Sequence, residues 1–388
     1  MINYHISFTD FSNESRVLKE TEALIQSGLI SEIGIISFGK KNAPYSEQID
    51  KNRTLYRILL PNAINKKGFV FLVLKIIYST FWVFSFFKKT KVDIINCHSI
   101  KNLHIGALLK KKYGTKLIYD AHELESEQAG FANKSIAGIR LSNIIKNIEA
   151  KLIKHVDGMI VVSESIQQWY QENMNVNNIV TIRNIPKKKN KTYTLARPLR
   201  KEFNIPTESI VYTYSGLIDE VRGIDILLEV FKKSDLKHHI IFMGYGDATP
   251  KVKEAAQLYA NIHYKTAVEP HLVTNYLQTA DVGLFICDNI CLSYYYCLPN
   301  KMFEYISAGL ALVVSDFPDM SKIIHKHNCG YTIKPSVEDI IKLIKNLNLS
   351  DINKCKQGSL QASLNMNWES ESLKLTPFYK RILSDTIM

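Results

Sequence analysis

Short, continuously apolar runs alternate with stretches of helical spacing along nearly the whole 388-residue chain, and this alternation restricts the fold more than any other feature. Residues 2–8, 33–38, 92–97, 116–119, 158–162 and 179–182 read as strands without a polar face, separated by helical patterns such as 15–26 and 101–112. Strands apolar along their full length are buried on both sides, which predicts parallel sheets covered by crossover helices. Two prolines and a run of positive charge interrupt the pattern at 184–201. It then resumes at 210–214, 239–243, 261–264, 282–286 and 310–314. The predicted class is α/β, with two Rossmann-like, doubly wound parallel-sheet domains facing a cleft. Their expected bounds are 1–184 and 201–365, with a linker at 185–200 and a last helical segment, 366–388, crossing back to the first domain. The length suits two domains.

The densest chemistry lies in Leu298-Pro299-Asn300-Lys301-Met302-Phe303-Glu304, which runs on to Ala308-Gly309 and the apolar run 310–314. Proline fits the first turn of a helix, and the amides of Asn300, Lys301 and Met302 would then point out of the helix start as an anion site. Glu304 follows one turn later, within reach of sugar hydroxyls attached to a bound phosphate. Elsewhere Tyr119-Asp120-Ala121-His122-Glu123 closes a strand, Ser215-Gly216 closes another ahead of Arg222-Gly223, and Gly244-Tyr245-Gly246 closes a third. In open parallel sheets such strand ends border the ligand crevice.

Taken in order with Ser15-Arg16-Val17-Leu18-Lys19-Glu20, these motifs resemble the retaining glycosyltransferases of family 4, which have the GT-B fold, in the branch that builds bacterial surface polysaccharides. The resemblance implies an enzyme, a hexosyl- or N-acetylhexosaminyl-transferase, moving sugar from a UDP-sugar to a lipid-linked or oligosaccharide acceptor. It also implies a cytoplasmic protein, peripheral at the inner face of the cytoplasmic membrane. It makes His122, Arg222 and Lys301 the catalytic candidates. Gly216, Arg222, Gly244, Gly246, Tyr296, Leu298, Pro299, Asn300, Lys301 and Glu304 become candidate donor contacts, and Arg16 and Glu123 candidates on the acceptor side. In the family the histidine lies against the donor sugar and the retained glutamate binds the ribose.

Two positions depart from the family. Leu217 stands where an arginine is usual just after the strand glycine, so the diphosphate has lost a cation that Lys301 could restore; a solvated residue at a helix start is the competing reading for Lys301. Tyr296 stands where the first carboxylate of a Glu-x7-Glu pair is usual. These departures leave room for a catalytically weak partner subunit or a GT-B nucleotide-sugar epimerase. Thr249 replaces the third glycine of a dinucleotide fingerprint, and the chain has no Asp-x-Asp, so neither hydride transfer nor a metal-held diphosphate is expected. No metal or other cofactor is expected, protein cations and a helix dipole taking the metal's part.

The six cysteines are scattered without paired C-x2-C spacing and read as free thiols in a reducing compartment. No signal-peptide pattern opens the chain. A net charge of +12, carried in runs such as Lys66-Lys67, Lys88-Lys89, Lys110-Lys111-Lys112 and Lys187-Lys188-Lys189, comes with no nucleic-acid recognition motif. An anionic membrane surface is the alternative to a merely lysine-rich exterior. Two of these runs bracket 68–87, where Lys75 is the only charge. A membrane span there would split the first sheet, so the segment is read as a buried crossover helix or one dipping into the interface, with Lys75, Ser79 and Trp82 as its polar stripe.

Overall fold

The computed structural model describes residues 1–384 apart from 13, 41, 67, 129–135, 189–197 and 234–236. The chain forms two units, one of Met1–Arg183 with Ser372–Met388 and the other of Asn184–Glu371. Most of the expected linker therefore lies outside the described residues. The return of the chain to the first unit falls six residues later than the expected 365/366 boundary.

The first unit is built on eight strands: β1 (Ile2–Ile6), β2 (Glu32–Phe38), β3 (Ser46–Asp50), β4 (Arg53–Ile58), β5 (Ile94–Cys97), β6 (Lys116–Ala121), β7 (Gly158–Val161) and β8 (Ile179–Thr181). Their order is β3-β4-β2-β1-β5-β6-β7-β8, parallel throughout except for the antiparallel pair β3 and β4. That pair is absent from the sequence reading, because β3 is an exposed edge strand whose residues are polar at most positions. Its polarity is what keeps an edge from pairing with another chain.

The final helix, Leu375–Ser384, buries Leu375, Phe378, Tyr379 and Ile382. Asn96 on β5 donates its side-chain amide to the Tyr379 hydroxyl at 2.7 Å, with both residues fully buried. This bond anchors the chain's last helix to the sheet core.

The second unit carries β9 (Val211–Leu217), β10 (His239–Tyr245), β11 (Ile262–Thr266), β12 (Val282–Phe285), β13 (Ala311–Ser315) and β14 (Gly330–Ile333), ordered β11-β10-β9-β12-β13-β14 and parallel throughout. Both sheets reverse their winding beside their central strand, between β1 and β5 in the first and between β9 and β12 in the second. These are the switch points where open α/β sheets bind ligands.

The helix Phe69–Phe87 departs from the buried-crossover reading. Only 17% of its Val70–Phe87 window is buried, and Val70, Ile77 and Phe81 are 66%, 47% and 74% exposed. Ser79, expected on a solvated stripe, instead faces inward with Val83 and Phe87. Phe86 and Phe87 pack edge-on against Tyr4 of β1, and Trp82 stacks on Phe86. The helix thus holds the sheet by its C-terminal aromatics and turns an aliphatic face outward.

Replacing Tyr379 by Phe leaves the Asn96 amide buried without an acceptor. We expect a loss of about 1–3 kcal/mol in the stability of the first unit, read as an earlier denaturation midpoint with an unchanged slope.

Candidate functional site

In the second unit the helix Asn300–Ala308 starts behind Pro299, whose extended backbone occupies the cap position, and stops at Gly309 in the left-handed conformation. Tyr305 fixes this helix across the switch point. Its hydroxyl accepts the Ser215 N–H of β9 at 2.9 Å and donates to the Leu284 carbonyl of β12 at 3.2 Å. The Met302 N–H is not free as expected but turns back onto the Pro299 carbonyl at 3.1 Å. The outward-pointing amides of this helix start are therefore those of Asn300 and Lys301.

Lys301 is not a solvated helix-start residue. It is 7% exposed, and its Nζ lies 3.6 Å from the centre of the Tyr214 ring and 5.2 Å from that of Phe285. The ammonium has no hydrogen-bond acceptor. Burial, joined by the charge of Arg222, holds its pKa well below the ordinary lysine range, while Glu304, Cys287 and Asp219 pull it back. Arg222 sits in the short 3-10 turn Glu220–Arg222 after β9, with its Nε 3.9 Å from Asp219. That Nε is likewise buried and lacks an acceptor. Among the described residues, these two are the only buried cationic side-chain nitrogens without one.

Gly216 lies directly beside Lys301. Its φ of +102° admits only glycine at low cost, and a Cβ there would stand 3.8 Å from Nζ. Gly244, its partner across the β9–β10 ladder, could not carry a Cβ at all, because the atom would fall 1.8 Å from the Gly216 carbonyl oxygen. Gly244 therefore shapes the strand end rather than facing open space, and Gly246 packs in the same way against Ile218. Leu298 is buried in the core beneath the helix. Tyr295 packs on Phe317, and Tyr296 lies against Tyr295, so part of the tyrosine run is ordinary packing. The six cysteines are all free, and the Cys287 thiol is drawn below its usual pKa by a hydrogen bond with Cys297, against the opposing effect of burial.

The first unit gathers a different cluster at its own switch point. Asp120 and His122 close β6, His98 follows β5, and His5 belongs to β1. His98 Nδ1 lies 2.9 Å from Asp120 Oδ2, and His122 Nε2 lies 3.3 Å from the same oxygen and 3.2 Å from His98 Nδ1. Three such atoms could also face one cation, but Asp120 already takes the Arg16 guanidinium, at 3.2 Å through Nε and 2.8 Å through Nη2. Arg16 also donates to the Ile182 carbonyl at 2.8 Å and is 5% exposed. It stands behind Asp120 as an internal counter-ion, not at a surface where an acceptor could meet it.

Burial alone would raise the Asp120 carboxyl, but Arg16 and the histidines hold it well below the usual carboxylate range. Burial pushes the neighbouring Glu20 well above that range, against the pull of Arg16, whose Nη2 lies 2.9 Å from Glu20 Oε1. Glu123 is exposed and accepts a hydrogen bond from Gln128 at 2.7 Å. Glu125 steadies the loop by accepting from the Ser99 hydroxyl and the Ile100 amide, while burial raises its own pKa to about 7. His5 and His98 were not singled out by sequence. The available signal was one histidine inside the apolar run 2–8 and another directly after the run 92–97.

Lys301 makes the second unit pay for its site in stability. Its folded pKa is depressed, so below the unfolded value near 10.4 the unfolded chain binds a proton that the folded chain resists, and stability rises with pH through that window. Lys301→Met should therefore raise the melting temperature of the second unit at neutral pH, and the gain should shrink as pH approaches about 10.4. Differential scanning calorimetry at several pH values reads both effects; a lower melting temperature at pH 7 would contradict the assignment.

Two family models match the chain: "Glycosyltransferase Family 4" over residues 19–185 and "Glycosyl transferases group 1" over residues 196–360. No curated protein matches it by sequence. Among solved structures, sucrose-phosphate synthase from Thermosynechococcus elongatus superposes with a TM-score of 0.80 at 14% identity, covering 99% of this chain and 100% of that one. HepE of Anabaena in complex with UDP gives 0.68 at 11% identity, with 98% and 100% covered. An Escherichia coli trehalose-6-phosphate structure bound with UDP-2-fluoro glucose gives 0.73 at 9% identity, with 97% and 99% covered. The two family models and the pair of parallel α/β sheets agree, and the chain belongs to the family 4 glycosyltransferases of the GT-B fold.

Proposed function

We propose that this glycosyltransferase moves a sugar from a UDP-sugar to a saccharide acceptor with retention of anomeric configuration, without a metal, in the synthesis of a bacterial surface polysaccharide. The observation that carries the reading is the pair of acceptor-free cationic nitrogens, Arg222 Nε and Lys301 Nζ, beside the start of the helix Asn300–Ala308 and the bare backbone of Gly216. Buried cationic nitrogens without a hydrogen-bond acceptor are costly, and a diphosphate is the anion whose size and charge suit two of them plus a helix start. Lys301 in this reading restores the cation lost at Leu217. UDP as the nucleotide is supported by the UDP-bound structures among those similar to the chain.

In the reaction the bond from the anomeric carbon to the β-phosphate oxygen breaks and a bond to the acceptor oxygen forms on the same face. The acceptor's proton passes to the departing phosphate oxygen. Arg222, Lys301 and the helix start stabilise the charge that grows on the leaving diphosphate, Glu304 holds the ribose hydroxyls, and His122 steadies the sugar as it gains oxocarbenium character.

Purified protein offered a panel of UDP-sugars with a saccharide acceptor should transfer in the presence of chelator, and NMR of the product should show the donor's configuration. Arg222→Ala should slow transfer by about 10- to 100-fold. Glu304→Ala should weaken UDP binding by about 1.5–3 kcal/mol with the fold intact. An inverted product, or activity abolished by chelation and restored by metal, would overturn the proposal.

A lipid-linked acceptor at the inner membrane face is supported by the outward aliphatic side of the helix Phe69–Phe87. Cations attend both ends of that helix: Lys66 lies over the Phe71 ring at 5.6 Å, and Lys112 over Phe84 at 5.5 Å. An amphipathic element of this kind adsorbs by apolar burial plus attraction to acidic lipid. Flotation with vesicles should increase with anionic lipid, fall with salt, and drop on Phe81→Glu, since Phe81 is 74% exposed. Equal recovery with neutral and acidic vesicles would leave the helix without this role.

A further inference from the structure

The histidine cluster of the first unit has a proton arrangement that its geometry dictates. Four contacts run in series: Asn3 Nδ2 to His5 Nε2 at 3.2 Å, His5 Nδ1 to His98 Nε2 at 2.8 Å, His98 Nδ1 to Asp120 Oδ2 at 2.9 Å, and Asp120 Oδ2 to His122 Nε2 at 3.3 Å; His122 Nε2 also lies 3.2 Å from His98 Nδ1, across the same carboxylate oxygen. Asn3, His5, His98 and Asp120 are all buried. Each nitrogen–nitrogen link of the series needs one proton and one lone pair, so its direction is set by whichever member has no choice. That member is Asp120, an ionised carboxylate that can only accept and that is fixed by the two-pronged contact with Arg16.

His98 must therefore point Nδ1–H at Asp120. Burial keeps both His98 and His5 neutral, so His98 Nε2 is left with a lone pair and accepts from His5 Nδ1–H. His5 Nε2 in turn accepts from the Asn3 amide. The His98 Nδ1 proton is committed to Asp120, and a bare His122 Nε2 would set its lone pair against the same carboxylate oxygen. A proton on His122 Nε2 turns that clash into a charge-assisted hydrogen bond to the carboxylate, which outweighs the crowding of two N–H groups where Nε2 lies 3.2 Å from His98 Nδ1.

We infer that Asp120 is a positioning residue that holds the His122 ring with a proton on Nε2, so that the ring in its neutral form leaves the Nδ1 lone pair on the side away from Asp120. The consequence for recognition is specific. The neutral His122 ring meets a ligand as a hydrogen-bond acceptor, so the sugar group it addresses in that form is a hydroxyl that donates. The tautomer itself is independent of the proposed function, whereas its effect on transfer rests on the reading that His122 serves the donor sugar.

The test is ring nitrogen NMR on protein labelled with 15N-histidine, at a pH where the rings are neutral, with the His122 signals assigned by their loss in His122→Gln. The wild-type protein should show Nε2 protonated and Nδ1 bare. Asp120→Asn should convert this to a mixture of tautomers and lower kcat by about 100-fold, with donor KM little changed. Should Asp120→Asn fail to fold with Arg16 unpaired, His98→Leu removes the N–H that faces His122 Nε2 while sparing the Asp120–Arg16 pair. His98→Leu should leave the His122 proton on Nε2, because the Asp120 carboxylate remains. An Nδ1–H ring in the wild-type protein or in His98→Leu, or an unchanged spectrum in folded Asp120→Asn, overturns the inference. A spectrum that behaves as expected beside a His122→Ala variant that still transfers sugar at the wild-type rate upholds the lock and instead removes His122 from the proposed function.

Discussion

A parallel sheet buried on both faces leaves polar chemistry little room except at the carboxyl ends of its strands, and everything functional in this protein follows from that restriction. The strands spend their side chains on packing: β1, β5 and β13 are buried along almost their whole length. Arginine, lysine, histidine and aspartate collect where the ladders stop and the winding reverses. Two copies of one topological rule thus yield two polar clusters, each held by elements within its own unit.

The clusters solve opposite electrostatic problems. In the first unit Arg16 answers Asp120 and Glu20 from inside the fold, while burial disfavours the charged forms of Glu20, His5 and His98. Such a network pairs its charges within the fold and gains rigidity from doing so. In the second unit Lys301 faces two aromatic rings, Arg222 stands 3.9 Å from the Asp219 carboxylate, and neither Lys301 Nζ nor Arg222 Nε has a hydrogen-bond acceptor. Aromatic faces offset only part of the desolvation of an ammonium. The first cluster is built to hold a geometry; the second leaves two cationic nitrogens without acceptors, where the proposed diphosphate would sit.

Much of this was legible in the sequence because burial leaves a strong trace. Strands covered on both sides read as unbroken apolar runs, and Pro299 and Gly309 mark the start and stop of the key helix. What escaped carries no such trace. β3 is polar because it is an edge, β4 alternates because it adjoins that edge, and both resemble loop in a search for apolar runs. Lys301 occupies a position that sequence alone assigns equally well to solvent. Its burial depends on Tyr214 and Phe285, which arrive from two other strands. The roles of His5 and His98 depend on β1 and β5 being neighbours, a pairing between residues 93 positions apart.

The helix Phe69–Phe87 shows how topology settles what composition leaves open. At about 1.5 Å per residue its length approaches the thickness of a bilayer core, and by apolar content alone it could cross one. The strand before it, β4, and the strand after it, β5, nevertheless belong to one sheet, with only β2 and β1 between them. A chain that crosses a bilayer once cannot return to the sheet it left. The outward aliphatic face therefore has to be accommodated along a surface rather than through one, while the inward turn of Ser79, Val83 and Phe87 keeps the helix tied to the sheet. Apolar content fixes what this helix prefers to touch, and strand order fixes from which side it can do so.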